Sequence, residues 1–480
     1  MKRDDETLSY SLPTSSQMRK SENLTAAYDN YAVYLPSLQQ GYAQYASYTN
    51  TRDSVANPPP PKGFSVEMLD YLDSSNPLWH CGYTLYSVGH FSSSNIEKTD
   101  IVRHRDASTV VVGDSGGFQV GTGKLKGTEH LKKYKGSPNK LRTAWNETKT
   151  VERVLRWLDT YTDYAMTLDM PIWVKTNALA KDSPFNSLSF NTLIEMSVEN
   201  LRHFADHRRG GTKFLNVLQD VGVQGGINTG NAWFDAVKDF PFEGWAFGSE
   251  TKANLVTNLK WMRRLLDEGR LEGKEWMHIL AASPPICSVI YSAMQRALRD
   301  VLSSDIRISY DSSSPFQMGG VAKNYAVEPQ LGKDLRTWKV SQKGFPFSPK
   351  YMDESNAEPF PSKSPLANMF SLYDMHRHRK SGLESKFFDS LSEAVLTNHN
   401  LYMYHQHALQ ACDLAFVRKD YDRIPNKLIG VLECIDTFFK TETPSALLKK
   451  HANDFILKKV SDDEELELAA NASMDDFLSD

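Results

Sequence analysis

The sequence predicts an α/β protein, a TIM (β/α)8 barrel with an N-terminal extension and a helical C-terminal region. Two observations lead to this fold. Short apolar runs of strand length alternate with longer segments of helical periodicity over most of the chain. Polar residues directly follow several of these runs, at the C-terminal strand ends where a barrel builds its active site. These residues are Asp114, Asp169, Gln219 and Asp311.

Seven apolar runs have the length of buried strands, and several are followed by Gly, Ser, Pro or Asp as a turn signal. The runs cover residues 79–88, 109–113, 164–168, 213–218, 244–247, 278–282 and 306–310. Apolar residues at helical spacing mark the segments between them, which include 148–162, 188–207, 252–268 and 286–302. This alternation predicts parallel strands joined by crossover helices. Seven or eight such units favour a barrel over an open doubly wound sheet, although periodicity by itself is compatible with both.

Four parts of the chain differ in composition and pattern. Residues 1–62 are rich in Ser, Tyr, Asn and Gln and end in a polyproline-type spacer, so we predict an N-terminal arm outside the main fold. Residues 63–315 are predicted to form the catalytic barrel core. Residues 316–460 are predicted to complete the barrel and to form the helical C-terminal region, and residues 461–480 form an acidic tail.

Length and composition are those of an intracellular globular protein of one large or two ordinary domains. The 480 residues are 24% charged and 40% hydrophobic, which excludes collagen-like and wholly disordered chains. Four scattered cysteines without a CxxC pair exclude a disulfide scaffold and the strong zinc-finger spacings. The N-terminus lacks a signal-peptide pattern and no run is long enough to span a membrane, so we expect a soluble protein of the cytoplasm.

The formal net charge of -4 hides an uneven distribution. The last twenty residues carry eight acids and no Lys or Arg. The remaining residues have 55 basic and 51 acidic side chains, a net charge of +4. The mildly basic body is compatible with a nucleic-acid partner.

The sharpest local string is Val-Val-Val-Gly-Asp-Ser-Gly-Gly-Phe-Gln at residues 110–119. A β-branched run stops at Asp114, and the glycines after it let the backbone approach a ligand closely while the carboxylate points into a cleft. An aspartate that only caps the next helix, with glycines for the turn, is the structural alternative.

Residues 114–119, Asp-Ser-Gly-Gly-Phe-Gln, resemble the signature of the tRNA-guanine transglycosylase superfamily. Members of this family are TIM barrels that exchange a purine for a 7-deazaguanine in a nucleic acid. Later strings resemble the family in the same order, over about residues 75–410. They are Thr-Leu-Asp-Met-Pro at 167–171, Leu-Asn-Val-Leu-Gln at 215–219, Glu-Gly-Trp-Ala-Phe-Gly at 243–248, Ser-Tyr-Asp at 309–311 and Leu-Thr-Asn-His-Asn-Leu-Tyr at 396–402.

The resemblance implies two catalytic residues. Asp311 would be the nucleophile that attacks the sugar C1′ and forms a covalent glycosyl-enzyme. Asp114 would be the general acid/base that protonates the departing purine and deprotonates the incoming base. The residues that would hold the base are Asp169, Gln219 and Ser115, the backbone at Gly244 and Trp245, and Phe118, which would stack on its face.

The chemistry of an N-glycosidic bond requires a similar set of groups. A carboxylate stabilises and traps the oxocarbenium-like state, and a second carboxyl group handles the protons, as in retaining glycosidases. A third carboxylate accepts hydrogen bonds from the N1-H and 2-amino group of a guanine-type base. Asp305 competes with Asp311 for the nucleophile, but it precedes its apolar run and is expected at the bottom of the barrel. The structural alternative is that Asp311 is only a turn residue at the start of the string Asp-Ser-Ser-Ser-Pro.

The tRNA-acting members of the family normally carry a CxCxxC cluster and a later histidine that bind structural zinc. The corresponding region of this chain, about 315–399, contains no cysteine, so we do not expect structural zinc, and no organic cofactor is implied. His376, His378 and His399 are the weak candidates for metal ligands. The Pro-Thr-Arg string that follows the nucleophile in tRNA enzymes is also replaced, by Ser-Ser-Ser-Pro at 312–315. Both losses point to the DNA-acting, DpdA-like branch.

In that branch the partners are DNA and a free 7-deazaguanine base, and the modification protects phage or bacterial DNA from restriction. The location would then be the cytoplasm, or the host cytoplasm for a phage protein. Lysines crowd the segment after the Asp114 string and are expected to bind DNA phosphates; an ordinary solvated loop is the alternative. These residues are Lys124, Lys126, Lys132, Lys133 and Lys135, with Lys140 and Arg142 beyond them. A divergent tRNA transglycosylase and a non-catalytic nucleic-acid-binding subunit remain as alternative functions.

Overall fold

The centre of the molecule is a closed barrel of eight parallel strands, which confirms the predicted fold class. A computed structural model of the chain describes residues 21–47, 60–91, 100–248, 254–376 and 390–457. Successive strands are neighbours, and the last pairs with the first. The strands are β1 (Val33–Leu38), β2 (Tyr83–Ser87), β3 (Val110–Asp114), β4 (Tyr164–Met166), β5 (Lys213–Leu218), β6 (Gly244–Phe247), β7 (Trp276–Ile279) and β8 (Arg307–Ser312).

Helices fill the connections between strands and form most of the C-terminal region. Several of their bounds lie within three residues of the prediction, and the periodic segment 286–302 is a helix over that whole range. The helices are α1 (Gln40–Ala46), α2 (Gly117–Thr122), α3 (Pro138–Glu147), α4 (Thr150–Tyr161), α5 (Phe190–His207), α6 (Thr229–Val237), α7 (Leu255–Asp267), α8 (Ile286–Leu302), α9 (Ser314–Phe316), α10 (Leu372–His376), α11 (Ser390–Cys412), α12 (Asn426–Phe438) and α13 (Pro444–Lys450).

The expected N-terminal arm is wrong for residues 33–46, because β1 belongs to the barrel and α1 follows it. The barrel therefore spans residues 33–312 instead of 63–315. Pro36 lies within β1, although proline normally argues against a central strand. Its position explains the exception. β1 pairs with β8 as far as Pro36 and with β2 from Ser37 onward, and the Pro36 carbonyl accepts a hydrogen bond from Thr84 Oγ1 at 3.0 Å.

The C-terminal region packs on the side of the barrel where β8 meets β1. Helix α11 contacts α8 and β1. It therefore occupies the position that the helix after the eighth strand has in a (β/α)8 barrel. A short antiparallel pair, Asn324–Ala326 with Gln342–Gly344, lies against α11. The barrel is closed by Ser312, so this region adds helices and no barrel strand among the described residues. The expected acidic tail at 461–480 lies outside the described residues.

Two further small sheets lie outside the barrel. Glu22–Asn23 pairs in parallel with Trp79–His80, and Val223–Gln224 forms an antiparallel hairpin with Ile227–Asn228. No helix in the described parts of the chain is long and apolar enough to cross a membrane.

Three buried histidines on α11 make the fold sensitive to acid. Burial lowers the pKa of His399 to about 4, of His405 to about 3 and of His407 to about 4. In the unfolded chain these side chains bind protons near pH 6.5, so between pH 6.5 and about 4 the unfolded state binds more protons than the folded state. Each histidine should contribute a fall of about 2 kcal/mol in the free energy of unfolding between pH 7.5 and pH 5. The raised pKa values of buried Asp70 and Asp169 contribute in the opposite direction.

Denaturant titrations at these two pH values measure the effect. In the His405→Gln variant the difference in unfolding free energy between the two pH values should shrink by about 2 kcal/mol. His207 is exposed, so His207→Gln should leave that difference unchanged. The same difference in the wild-type protein and in His405→Gln would contradict the buried, neutral state of this ring.

Candidate active site at the C-terminal end of the barrel

Four of the predicted polar residues lie at the C-terminal ends of barrel strands. Asp114 is the last residue of β3, Asp311 is the penultimate residue of β8, Gln219 directly follows β5, and Asp169 lies three residues beyond β4. Since all eight strands are parallel, these ends form one rim of the barrel. These residues therefore lie at or just after the C-terminal strand ends, as the sequence predicted.

Asp311 is held by groups from the two neighbouring strands, β1 and β7. Ser37 Oγ of β1 donates a hydrogen bond to Asp311 Oδ2 at 2.5 Å, and the Ala281 N-H after β7 donates to Oδ1 at 2.9 Å. His278 Nε2 of β7 lies 3.3 Å from Oδ1. Asp311 is only 8% exposed, so the ionised form of its carboxylate depends on these neighbours.

Hydrogen bonds inside the barrel orient the His278 ring. Trp276 Nε1 can only donate, and it donates to Ser309 Oγ at 2.6 Å. The Ser309 hydroxyl contacts His278 Nδ1 at 2.9 Å. This network orients the imidazole so that Nε2 is the ring atom nearest Asp311. The Nε2 contact is not aligned as a hydrogen bond, so we treat it as electrostatic.

The turn after β7 places a backbone donor on Asp311. Ala281 has a φ of +53°, which is unusual for a residue other than glycine. In this conformation its N-H reaches the Asp311 carboxylate, and the next N-H, of Ala282, donates to the Asp311 carbonyl at 2.7 Å. A residue whose φ and ψ lie in a sparsely populated region, next to a buried carboxylate, is a typical feature of functional sites.

These contacts keep Asp311 ionised. Burial alone raises the pKa of a carboxyl group, but His278, Ser37 and the Ala281 N-H together lower the pKa of Asp311 below its ordinary value. A buried, ionised carboxylate at a barrel rim has the properties of a nucleophile or of a group that stabilises positive charge.

Asp114 is oriented in a related way by a serine of the neighbouring strand. Ser87 Oγ of β2 donates to Asp114 Oδ2 at 2.6 Å, and the Gly116 N-H donates to Oδ1 at 3.2 Å. Gly116 has a φ of +84°, and a Cβ there would lie 3.1 Å from Gly89 Cα. The turn after Asp114 thus requires glycine, as the structural alternative for this string expected, whereas the close approach of a ligand stays a prediction.

Asp169 and Gln219 form a pair beside the Asp114 turn. Gln219 Nε2 donates to Asp169 Oδ2, and Gln219 Oε1 accepts from the Ile172 N-H at 2.9 Å. A Cβ built on Gly117 would lie 3.6 Å from Asp169 Oδ1, so the two loops touch. Burial raises the pKa of Asp169 to about 7, and the charge of Asp114 adds to the rise.

Ser115 and Phe118 lie in the same region, but each already has a partner within the protein. Ser115 Oγ donates to the Thr167 carbonyl at 3.1 Å, which ties the Asp114 turn to the loop that carries Asp169. The Phe118 ring stacks on Trp173 with 5.8 Å between centroids and 25° between planes. Ser115 therefore has a role in positioning the loops, and Trp173 adds a second aromatic ring to the predicted one.

The expected base contacts of Gly244 and Trp245 are wrong for this structure. Both residues begin β6, at the N-terminal end of the barrel, and their backbones pair with β5 and β7. Trp245 stacks on Phe234 of α6 and donates its Nε1-H to the Arg270 carbonyl at 3.0 Å, so its side chain points away from the barrel interior. Gly248, at the C-terminal end of β6, is the residue of this string on the side of the aspartates.

Gly244 has a packing role, which a substitution can separate from base binding. A Cβ at this position would lie 2.0 Å from the Trp276 carbonyl oxygen and 2.6 Å from Leu215 Cδ2. We expect Gly244→Ala to lower the free energy of unfolding by about 3 kcal/mol or more, because backbone on the neighbouring strand must move.

Thermal or denaturant unfolding measures this effect. Gly248→Ala is the matched control, because a Cβ there meets no atom closer than 3.5 Å. Its stability should stay within about 1 kcal/mol of the wild type. A stable Gly244→Ala protein that only loses base binding would restore the role expected from the sequence.

The predicted DNA-binding lysines lie between β3 and α4, on the same face as the aspartates. Lys132, Lys133 and Lys135 are exposed, whereas Lys124 and Lys126 are half-buried. Lys135 Nζ donates to the Lys181 carbonyl at 2.7 Å. Arg142, at the end of this basic segment, is already paired with Glu195 and Glu199. The exposed lysines are therefore the part of the segment that can reach phosphates.

The two described histidines that were considered as metal ligands have partners within the protein. His399 Nδ1 contacts Ser364 Oγ and Nε2 contacts the Ala326 carbonyl, both at 2.9 Å, so both ring nitrogens are occupied. His376 Nδ1 contacts the Leu372 carbonyl at 2.6 Å. His378 lies outside the described residues. Among the residues that the structure describes, no three His, Cys, Asp or Glu side chains are grouped as a metal site.

A cavity of about 510 Å³ opens at the opposite, N-terminal end of the barrel. Its lining includes Tyr83, Tyr164, Trp276 and Asp305. Asp305 therefore lies at the bottom of the barrel, as expected from its place before the apolar run. We place the candidate site at the other end because the three aspartates and Gln219 lie there.

Three residues of the site were missed in the sequence. Ser37 lies in β1, which was not predicted because residues 1–62 were interpreted as an arm. Its role could be inferred only once β1 was known to belong to the barrel. His278 is the first residue of the run 278–282 and was the one visible signal, a polar ring in a buried strand. No sequence pattern marks Ala281 as a residue with positive φ.

Comparison with models of known protein families and with curated proteins found no match to this chain. The case for a function therefore depends on the residues of the site and on their geometry.

Proposed function

We propose that the protein is a DNA-guanine transglycosylase. It would exchange guanine in DNA for a 7-deazaguanine base, such as 7-cyano-7-deazaguanine, and so protect the DNA from restriction. One observation carries the proposal. Two buried carboxyl groups at the same barrel rim have pKa values that move in opposite directions, down for Asp311 and up to about 7 for Asp169, with Asp114 beside Asp169. Environments that move the pKa values of two carboxyl groups apart in this way assign the two groups to different chemical roles.

In the first step Asp311 attacks the sugar. A carboxylate oxygen forms a bond to C1′ while the C1′-N9 bond of the target guanine breaks, and its electron pair goes to the base. Asp114 must first bind a proton from solvent, because its charged form accepts hydrogen bonds from Ser87 and Gly116 in the free protein. It then gives that proton to the departing guanine. The product is a glycosyl ester of Asp311 and free guanine, and the hydrogen bonds from Ser37 and Ala281 hold the nucleophile in place.

In the second step the charges return to their starting state. Asp114, now a carboxylate, takes the N9 proton of the incoming 7-deazaguanine. N9 then attacks C1′, and the bond from C1′ to Asp311 breaks. Two displacements on opposite faces of the sugar retain the configuration at C1′. Neither step requires a redox cofactor, because no atom changes its oxidation state.

The base would be held by the pair of Asp169 and Gln219. An ionised Asp169 accepts hydrogen bonds from N1-H and the 2-amino group, which only a guanine-type edge presents. The Gln219 amide, fixed by the Ile172 N-H, can contact the rest of this edge after it exchanges its bond to Asp169. Phe118 and Trp173 provide an aromatic wall beside this pair.

The choice of DNA over tRNA is supported by the C-terminal region, and contact with a nucleic acid is supported by charge. His399, where the zinc histidine of tRNA-acting members would fall, is hydrogen-bonded on both nitrogens within the protein. The exposed lysines between β3 and α4 lie on the face of the aspartates, where cations can contact backbone phosphates. A guanine in duplex DNA must leave the stack to reach the barrel mouth, at a cost of about a few kcal/mol.

Incorporation of a labelled base tests this function. The protein is incubated with labelled 7-cyano-7-deazaguanine and either duplex DNA or tRNA. We expect label in DNA and none in tRNA. Label in tRNA alone would favour the divergent tRNA enzyme, and binding of either nucleic acid without any incorporation would favour a non-catalytic subunit.

The raised pKa of Asp169 gives base binding a pH dependence. With a pKa of about 7, Asp169 is largely protonated at pH 6 and largely ionised at pH 8. Since the base requires the ionised form, its dissociation constant should be about tenfold larger at pH 6 than at pH 8.

Calorimetric titration with the free base measures this constant. Asp169→Asn should bind the base weakly at both pH values and abolish the difference between them. Equal affinity of the wild-type protein at pH 6 and pH 8 would contradict the role of Asp169 in reading the base.

A further inference from the structure

A small hairpin stands out from the barrel rim beside Gln219. It consists of Val223–Gln224 and Ile227–Asn228, joined by Gly225 and Gly226, which both have positive φ, as a tight two-residue turn requires. All residues from 222 to 228 are exposed, between buried Val221 and buried Thr229. A Cβ on Gly222, Gly225 or Gly226 would meet no atom within 4 Å, so the tip projects into open space.

The base of this hairpin is rigid. Asp220 accepts hydrogen bonds from the Gly222 N-H at 2.8 Å and from Trp261 Nε1 at 3.2 Å. Thr229 Oγ1 accepts from the Val221 N-H at 3.0 Å and donates to the Gly222 carbonyl at 2.8 Å. The hairpin is therefore a rigid projection, which we call the finger. Three residues at the rise of a β-strand give it a length of about 10 Å.

The finger exposes two branched apolar side chains. Val223 is 66% exposed and Ile227 is 37% exposed. In the pairing of the hairpin Val223 is opposite Asn228 and Ile227 is opposite Gln224. Directly opposite residues share a face, so Val223 and Ile227 point to opposite faces of the ribbon. One branched apolar side chain thus projects from each face.

The finger faces the lysines across the candidate base site. Strands β3, β4 and β5 are consecutive in the barrel, and their C-terminal loops carry the lysines, Asp169 and the finger in that order. A polyanion drawn to Lys132 and Lys133 would therefore lie over Asp169 and meet the finger on its other side.

We propose that the hairpin at 223–228 is a wedge that enters the base stack of duplex DNA and occupies the place of the flipped guanine. Apolar wedges between base steps are a common way in which proteins unstack DNA. A ribbon with one apolar side chain on each face can contact the base pairs on both sides of the vacated position. The wedge rests on the proposed function, because it has a purpose only if a base must leave a duplex.

Exchange on paired and unpaired DNA tests the wedge. The variant Val223→Ser/Ile227→Ser keeps both turn glycines and changes only exposed side chains. Incorporation of labelled 7-cyano-7-deazaguanine is measured with a fully paired duplex and with the same target strand alone. We expect a loss of about tenfold or more on the duplex and a rate within about twofold of the wild type on the single strand, where no stack must be opened.

Val417→Ser is the matched control. Val417 is 64% exposed, similar to Val223, and it follows Phe416, which stacks on Tyr31 near the N-terminal end of β1. This variant should exchange at the wild-type rate on both substrates.

Three results would overturn the wedge. They are a double variant with the wild-type rate on the duplex, an equal loss on duplex and single strand, and a wild-type protein that exchanges single strands but not duplexes. If the wild-type protein incorporates no base into any DNA, the proposed function fails and the wedge fails with it.

Discussion

Replacement of Asp311 by Asn should reduce base exchange by at least about a thousandfold while the barrel stays folded. The asparagine side chain is nearly the same size and keeps one oxygen for the Ala281 N-H, but it lacks the negative charge that attacks C1′. Hydrogen bonds and His278 lower the pKa of Asp311, whereas burial raises that of Asp169, so Asp169 is not equipped to take its place. Incorporation of labelled base into duplex DNA gives the rate.

Asp305→Asn is the control for this change. It alters an exposed aspartate six residues earlier, at the N-terminal end of the barrel, and should leave the rate unchanged. Undiminished exchange by the Asp311→Asn protein would contradict the assignment of the nucleophile, and a loss caused by Asp305→Asn would move the site to the other end of the barrel.

Replacement of Asp114 by Asn should slow exchange by about a hundredfold to ten-thousandfold, the usual contribution of a general acid or base. The asparagine amide could still accept the hydrogen bond from Ser87, but it could not give a proton to the departing guanine. The defect should depend on the leaving group. A 7-methylguanine in DNA carries a positive charge and leaves as a neutral base, so it needs no proton from Asp114.

Release of 7-methylguanine measures this dependence. The Asp114→Asn protein should release it at nearly the wild-type rate, whereas Asp311→Asn should not. A proposed site for 7-substituted bases has room for the methyl group. Equal defects of Asp114→Asn on guanine and on 7-methylguanine would mean that Asp114 positions the substrate instead of transferring a proton.

Most of the barrel was predictable because its strands are continuous apolar runs. A parallel strand covered on both faces leaves such a run in the sequence, and a crossover helix leaves a periodic one. Strand β1 was missed because residues 1–62 as a whole are rich in Ser, Tyr, Asn and Gln and because Pro36 is unusual in a strand. Its pairing changes from β8 to β2 at that residue, a tertiary fact that local sequence does not carry.

The aspartates of the site were predictable because a polar residue directly after a buried run marks a strand end. The groups that hold Asp311 were not predictable. Ser37 reaches it only through the closure of the barrel, which pairs β8 with β1, and His278 through the register of β7 with β8. The role of Ala281 depends on its positive φ, which the residue type does not indicate. Gly244 was misplaced because a string of matching letters does not say which end of a strand it occupies, and the structure puts it at the start of β6.

A trapped covalent complex tests the central claim most directly. Duplex DNA is incubated with the wild-type protein without added 7-deazaguanine, quenched in denaturant, digested with protease and analysed by mass spectrometry. We predict a DNA strand that has lost one guanine and is joined through C1′ to the peptide that contains Asp311. A complex joined at another residue, or efficient base exchange without any covalent complex, would contradict the mechanism.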